Sequence, residues 1–378
     1  MKNILFITHY SKLYGANKSL LNLLDGLPSQ EIKPFVLMPN TQGLEKELEK
    51  RKIKYFISPV PSWYTKKNRT LRLLARNLRN LYSAYVLSST FIKENDIHLI
   101  YSNSSISPIG RLLAFINRIP HIWHIREFGD LDYDFHLLYP KSIFTFLILS
   151  SKAVVCVSAS ISKYFFNKMK KNIFTIYNGV INRQELEENI KKVQLKQINN
   201  KTFVFCIVGL LIPSKGQDIA IKAISELAKL GEDVELLIAG DGDQEFCRYC
   251  KNLVEELNLG EKIKFLGYIQ NPFEVYLISD CSLVCSENEA MGRVTVEAMC
   301  SALPVIGKNS QGTSELIVHS KTGFLYNSFT DLVDYMKFLV KNPDLTRLMG
   351  KNGWKIAEEK YTQEAYASSI LEVINYCL

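Results

Sequence analysis

The chain has no apolar run long enough to cross a bilayer. Its longest uncharged stretches, such as residues 142–151, fall far short of the roughly 20 residues a spanning helix needs. The opening Met1-Lys-Asn-Ile-Leu-Phe-Ile-Thr-His9 makes a short strand and then turns polar, without the longer apolar core and small-residue cleavage site of a signal peptide. A cytoplasmic protein is therefore expected. Cysteine supplies no metal framework either: among eight, only Cys247-x-x-Cys250 and Cys281-x3-Cys285 lie close together. On a strand the second pair would span about 13 Å, too far for both sulfurs to reach one zinc. All eight read as reduced packing residues, with no metal site.

A third absence is local. From Lys50 to Lys93 there are eleven Lys or Arg and no Asp or Glu. Residues 1–183 carry 26 basic against 11 acidic residues, a net +15, whereas residues 184–378 carry 20 against 27, a net −7. The centre of the acid-free stretch reads as a helix with Arg69, Arg72, Arg76 and Arg79 in one stripe. Leu71, Leu74, Leu78, Leu81 and Tyr85 lie opposite and are expected to pack inward; Trp63, Tyr64, Lys66 and Lys67 precede them. Cations beside aromatics on an amphipathic helix fit an anionic membrane surface. That makes the expected location peripheral, on the inner face of the cell membrane, with nucleic acid not the expected partner.

What the chain does have, at 378 residues and 47% hydrophobic, is enough material for two ordinary domains. Strand-like runs at 4–8, 35–38, 99–102, 122–125, 153–157 and 173–177 alternate with amphipathic helices, the pattern of a parallel sheet covered on both faces. After a polar stretch at 182–201 the pattern restarts with runs at 203–208, 234–239, 262–266, 281–285, 304–306 and 323–326. The expected fold class is α/β, two Rossmann-like doubly wound domains facing a shared cleft. Their bounds are 1–183, with a terminal helix at 363–378 packing back on it, and 184–362.

Four segments carry chemistry. Ser286-Glu-Asn-Glu-Ala-Met-Gly-Arg-Val-Thr-Val-Glu297 sets Glu289 and Glu297 eight residues apart around Gly292, at a strand-to-helix turn. If helical throughout, that spacing rises about 12 Å, the reach from a sugar to a ribose across a diphosphate. Carboxylates accept hydrogen bonds from vicinal hydroxyls, and backbone amides from Met291 to Val294 suit phosphate. A second turn, Gly209-Leu-Leu-Ile-Pro-Ser-Lys215-Gly216, resembles a phosphate cradle in which Lys215 is the point charge, although it is not a Walker A loop. A third, ending Tyr14-Gly15-Ala-Asn, brings Gly15 to the start of a helix. Gly240-Asp-Gly-Asp243 lacks the third glycine of a nicotinamide fingerprint. The fourth segment, Pro120-His-Ile-Trp-His124-Ile-Arg126-Glu127, ends a strand with His124 and Arg126 on one face. It accommodates a catalytic acid or base and a buried structural network equally.

Over essentially its whole length the chain resembles the retaining glycosyltransferases of family 4, of the GT-B fold. Glu289-Ala-Met-Gly-Arg-Val-Thr-Val-Glu297-Ala-Met resembles that family's E-x7-E motif with Met291 in place of the usual aromatic. The resemblance implies that Glu289 contacts the donor sugar and Glu297 the nucleotide ribose, with backbone at Met291, Gly292 and Arg293 binding sugar and phosphate. Lys215-Gly216 resembles the end of the G-R-L-x3-K-G motif, which implies that Gly209, Lys215 and Gly216 meet the leaving diphosphate; its arginine is Leu210 here. Gly15 corresponds to the glycine loop, Asn178-Gly179-Val180 to the motif before the linker, and Gly312-Thr-Ser-Glu315 to a G-x-x-E stretch. The family's sugar-contacting histidine falls at Arg126, leaving His124, Arg126 and Glu127 as acceptor or sugar contacts. The resemblance thus implies retaining transfer from a nucleotide sugar, UDP by preference, to a glycan or lipid-linked acceptor, as in bacterial surface-polysaccharide synthesis, with no cofactor and no metal. A nucleotide-sugar epimerase and a non-catalytic partner subunit of the same fold are the alternatives.

Overall fold

The computed structural model describes residues 1–65, 71–133, 136–166, 171–195 and 202–378. Two compact units divide the chain, Met1–Gly179 with Gln363–Leu378, and Val180–Thr362.

The first unit is built on a seven-stranded sheet. Its strands are β1 (Lys2–Ile7), β2 (Ile32–Met38), β3 (Lys54–Ile57), β5 (Leu99–Ser102), β6 (His121–Ile125), β8 (Ala153–Cys156) and β9 (Ile173–Thr175). They stand in the order β3-β2-β1-β5-β6-β8-β9, and every neighbouring pair is parallel. Strands buried on both faces read as continuous Val, Ile and Leu runs, as in the fully buried Leu5, Ile100, Val154 and Val155. The sequence reading misses β3, an edge strand whose end residues Lys54 and Ile57 are exposed. It also misses the two-residue antiparallel pair of β4 (Tyr64–Thr65) and β7 (His136–Leu137).

Each face of this sheet has its own core. One contains Ile4, Phe6 and Tyr101 with Leu20, Leu23 and Leu24 of helix Gly15–Gly26 and Tyr366, Ile370 and Ile374 of the terminal helix Gln363–Cys377. The other contains Leu5, Ile100 and Phe35 with Ala84, Phe91 and Ile92 of helix Leu71–Glu94 and Ile109 and Leu113 of helix Ile109–Asn117.

The second unit repeats the plan with six parallel strands: β10 (Phe203–Val208), β11 (Val234–Ala239), β12 (Ile263–Gly267), β13 (Cys281–Val284), β14 (Val305–Lys308) and β15 (Gly323–Tyr326), ordered β12-β11-β10-β13-β14-β15. The order reverses between β10 and its neighbours β11 and β13, the switch point where open α/β sheets bind ligands. Entry and exit of this unit are stitched together: Val180 N donates to Tyr361 O at 3.0 Å and Ile181 bridges Thr362.

Candidate functional site

In the second unit the segments singled out by spacing leave neighbouring strands at the switch point. Gly209 follows β10 and donates its N–H to Ala239 O of β11 at 2.9 Å. The chain then makes a short 3-10 turn, Pro213–Lys215, and Gly216 (φ +69°) leads into helix Gln217–Lys229. A Cβ on Gly216 would lie 2.7 Å from Cys285 Cβ, so only glycine lets this loop seat against the end of β13. There β13 gives way to the carboxylate-bearing loop, and Gly292, left-handed at φ +91°, caps helix Arg293–Cys300.

That seating brings Lys215 Nζ to 2.5 Å from Glu289 Oε1, with side chains 29% and 13% exposed. Gly312 holds the carboxylate loop from behind: its N–H donates to Glu289 O at 2.9 Å, and a Cβ there would meet Met291 Cα at 2.7 Å and Glu289 O at 2.8 Å. Met291 turns its side chain into the core, leaving its backbone on the loop. Arg293 contacts Glu297 Oε1 at 3.2 Å, one helical turn on. The structure thus assembles Lys215, Glu289, Gly216, Met291, Gly292, Arg293 and Glu297 around one helix amino end, a positive pole with backbone N–H groups directed out of the helix.

Spacing alone missed two features here. Thr295 Oγ1 is fully buried without a partner beneath Gly292, and Gln217 Oε1 is likewise unpartnered while its amide donates to Leu210 O at 2.9 Å. Their signal is only an ordinary Thr and Gln in the first turn of each helix. Asp241-Gly-Asp243 has Asp-x-Asp spacing. Asp243, however, is the cap of helix Gln244–Glu256, accepting from Phe246 N, and Asp241 accepts from Gly242 N.

In the first unit, Gly15 opens helix Gly15–Gly26 with no side-chain cap and no acid in its first turn. Tyr10 OH accepts from Ala16 N at 3.2 Å, and burial pushes the phenol up to about 12. His124 faces the interior of this unit. It is fully buried on β6, its Nδ1 is 2.5 Å from Tyr101 OH, and burial with nearby Arg126 holds it neutral, far below the usual imidazole range. Arg126 is committed to a network, donating to Asn103 Oδ1 at 2.9 Å, Asn178 Oδ1 at 2.5 Å and Tyr366 Oη at 2.7 Å. Glu127 accepts from Ser104 Oγ, Ser105 N and Ser105 Oγ at 2.7–2.8 Å. Arg126 and Glu127 of this segment are thus both held in buried hydrogen bonds.

The basic helix matches its sequence reading only in part: Leu81 and Tyr85 pack against the core as expected. Leu71 and Leu78 are exposed, at 86% and 58%, together with Tyr82 and Val86, while Asn77, Ala84, Ser88, Phe91 and Ile92 face the core. Polar side chains set that rotation: Asn77 donates to Ser62 O and accepts from Tyr139 OH, and Ser88 donates to Ser58 Oγ. Arg76 and Arg79 are exposed; Lys66, Lys67, Arg69 and the Arg72 side chain lie outside the described residues. Trp63 is a core residue, stacked on Trp123 at 5.5 Å, and not a surface aromatic.

Two family models match this chain. "Glycosyltransferase Family 4" covers residues 14–182, and "Glycosyl transferases group 1" covers residues 187–356, so that together they span both units. The chain belongs to glycosyltransferase family 4, of the GT-B fold. An uncharacterised glycosyltransferase of Methanocaldococcus jannaschii is 28% identical over 79% of this chain and 81% of its own. The UDP-Gal:alpha-D-GlcNAc-diphosphoundecaprenol alpha-1,3-galactosyltransferase of Escherichia coli is 25% identical over 91% of this transferase and 92% of its own length. Among solved structures, Anabaena HepE in complex with UDP-glucose has the same fold, with a TM-score of 0.79, 22% identity and coverage of 99% and 100% of the two chains. Among the described residues of this family 4 enzyme, no helix is long and apolar enough to cross a membrane.

Proposed function

We propose that this glycosyltransferase moves a sugar from a UDP-sugar, with retention at the anomeric carbon, to a glycan or lipid-linked acceptor of surface-polysaccharide synthesis. The observation that carries the reading is the Lys215–Glu289 pair, one cation and one carboxylate at 2.5 Å beside the amino end of helix Arg293–Cys300. In the proposed complex the diphosphate takes Lys215 and the helix amides, freeing Glu289 for sugar hydroxyls; Glu297, steadied by Arg293, receives the ribose hydroxyls. The bond from the anomeric carbon to the phosphate oxygen breaks, and charge develops where Lys215 and preorganised N–H groups stand. The acceptor hydroxyl attacks from the face that the diphosphate leaves and passes its proton to a phosphate oxygen, so no enzymic nucleophile is required. Lys215 and the helix amino end carry the countercharge, and the reading includes no metal.

The exposed Leu71, Leu78, Tyr82 and Val86, flanked by Arg76 and Arg79, support docking of the first unit on an anionic membrane. The E. coli relative's name specifies a UDP donor and a diphospholipid-linked acceptor, and the HepE complex holds UDP-glucose, which favours UDP as the carrier here. A panel of UDP- and GDP-sugars, assayed for released nucleotide with and without lipid-linked acceptors and followed by NMR of the product's anomeric proton, tests the whole statement. Absence of release with every donor, or an inverted product, overturns it.

A further inference from the structure

Three loops leave the neighbouring strands β10, β13 and β14, and each turns left-handed where its helix begins: Gly216 at φ +69°, Gly292 at φ +91° and Gln311 at φ +43°. Glycine adopts that conformation freely, whereas a residue with a Cβ is strained in it. Among the described residues, the other left-handed residues with a side chain have a local reason. Lys52, Asp96, Arg118, Asn258 and Ala302 each lie just past the end of a helix, where a left-handed residue helps to satisfy the last carbonyls, and Ser320 sits in an exposed turn. Gln311 instead opens the short helix Gln311–Leu316, at a position where both sister loops carry glycine. We propose that Gln311 is kept for its side chain, whose amide binds the donor sugar beside Glu289 and selects which sugar is transferred. The inference deepens the donor-site reading given above and rests on it.

Two further observations carry it. The backbone on either side of Gln311 is fastened to the carboxylate loop: Ser310 Oγ donates to Glu287 O at 2.5 Å, and Gly312 N donates to Glu289 O at 2.9 Å. Gln311 is thereby held next to Glu289. That fastening uses its neighbours, while the Gln311 carbonyl accepts from Ser314 Oγ at 2.7 Å. The Gln311 side chain is half-buried, and its amide has no hydrogen-bond partner among the described residues. A glutamine retained for a structural network would have its polar atoms paired. One retained for the turn alone would be replaced by the glycine that the other two loops use. The strained conformation is therefore maintained for a group that the protein itself leaves unused.

The chemistry of an amide says what it reads. Glu289 is a pure acceptor, so it holds any hydroxyl able to donate and is blind to what stands on the next carbon. A glutamine amide donates through its nitrogen and accepts at its oxygen, which suits a hydroxyl or an acetamido group vicinal to the one that Glu289 holds. It is also neutral. A cation in its place would compete with Lys215 for Glu289, and a second carboxylate would repel the diphosphate. The ligand class is therefore a hexose or N-acetylhexosamine, distinguished from its epimers by the group beside the Glu289-bound hydroxyl. The wrong epimer leaves one such hydrogen bond unmade, a loss of about tenfold in affinity.

Calorimetry gives the affinities of the full chain for UDP, UDP-glucose, UDP-galactose, UDP-N-acetylglucosamine and UDP-N-acetylgalactosamine, and UDP release from each sugar gives kcat/KM. Wild type should prefer one sugar over its epimer or its acetamido counterpart by about tenfold or more. Gln311→Met keeps the strained backbone and loses the amide, whereas Gln311→Gly loses both. Each should cut that preference to about threefold or less and still bind UDP as wild type does. Thermal melts separate the two variants: Gln311→Gly should melt above wild type, and Gln311→Met should melt with it. Ser320→Gly relieves the same conformation before the amino end of β15, opposite the carboxyl ends that carry the three loops, and should leave every ratio unchanged. A wild type without preference, or a preference that survives in both Gln311 variants, overturns the proposal. So does a preference lost in Gln311→Gly and kept in Gln311→Met, which assigns selection to the backbone. Selective binding without turnover removes the transfer reading while the affinities still decide the role of Gln311; turnover with unaltered ratios removes that role alone.

Discussion

Replacing Lys215 by alanine removes the cation that the β10 loop brings to Glu289. A family 4 enzyme whose loop carried the expected arginine would retain a second charge; here that position is Leu210, apolar and 46% exposed. Deleting one preorganised group at a site of developing charge lowers kcat by about 10²–10³-fold, about 3–4 kcal/mol. Because the contact strengthens only as the diphosphate departs, kcat and kcat/KM should fall together. Stability should hardly respond, since partly exposed pairs are worth about 0–1 kcal/mol and the melting temperature of a unit this size moves by about 4 °C or less for that amount. The assay is nucleotide release under saturating donor, alongside a thermal melt. Leu210→Arg gives the complementary result: a new charged hydrogen bond of about 1.5 kcal/mol should raise kcat about tenfold and partly rescue Lys215→Ala. A Lys215→Ala enzyme within threefold of wild type, or one that has lost its melting transition, refutes the reasoning.

Gly312→Ala should destabilise the second unit by about 2 kcal/mol or more, because the new methyl meets backbone at Ala290, Met291 and Glu289; Gly260→Ala, where nothing lies within 4 Å, is the control, and a Gly312→Ala protein melting like wild type counts against the described loop packing. Burial lowers His9 to about 4 and His121 to about 3 from an ordinary 6.5. The unfolded chain therefore binds more protons below 6.5, and stability of the first unit should fall as pH drops from 6.5 toward 3; His121→Asn should flatten that slope in denaturant titrations. Leu78→Glu with Tyr82→Glu should abolish co-sedimentation with phosphatidylglycerol vesicles, and wild-type binding should weaken between low and 0.5 M salt; binding that ignores both changes removes the membrane proposal. Transfer should persist in excess EDTA, and a loss restored by Mg2+ would place a metal in the reaction.

Much of the fold could be read from period and punctuation. Twelve strands announce themselves as apolar runs, because a parallel sheet covered on both faces makes its strands hydrophobic throughout. The edge strand β3 escaped because Lys-Tyr-Phe-Ile alternates too briefly to stand out from a basic loop. In the site, Glu289, Gly292 and Lys215 were legible as spacing at strand-to-helix turns, but their meeting depends on Gly216 against Cys285, a contact between residues 69 positions apart. Helix Leu71–Glu94 was read with its apolar face partly right, since Leu81 and Tyr85 pack on the core while Leu71 and Leu78 do not; Asn77 and Ser88, which find backbone and hydroxyl partners, take the inward positions instead. Arg126 and Glu127 had the composition of a catalytic pair, and nothing in sequence distinguishes such a pair from a satisfied buried network.

The Arg126 hub has a consequence for how the polypeptide matures. Its three partners, Asn103, Asn178 and Tyr366, come from residues translated far apart, and the last of them belongs to helix Gln363–Cys377, made after the whole of the second unit. On the ribosome the leading half emerges without the wall that Tyr366, Ile370 and Ile374 provide, while Val180–Thr362 already contains all of its own strands. The later-synthesised unit is thus able to complete its fold first. The earlier one waits until Gln363–Cys377 has been made, exposed to chaperones and proteases meanwhile.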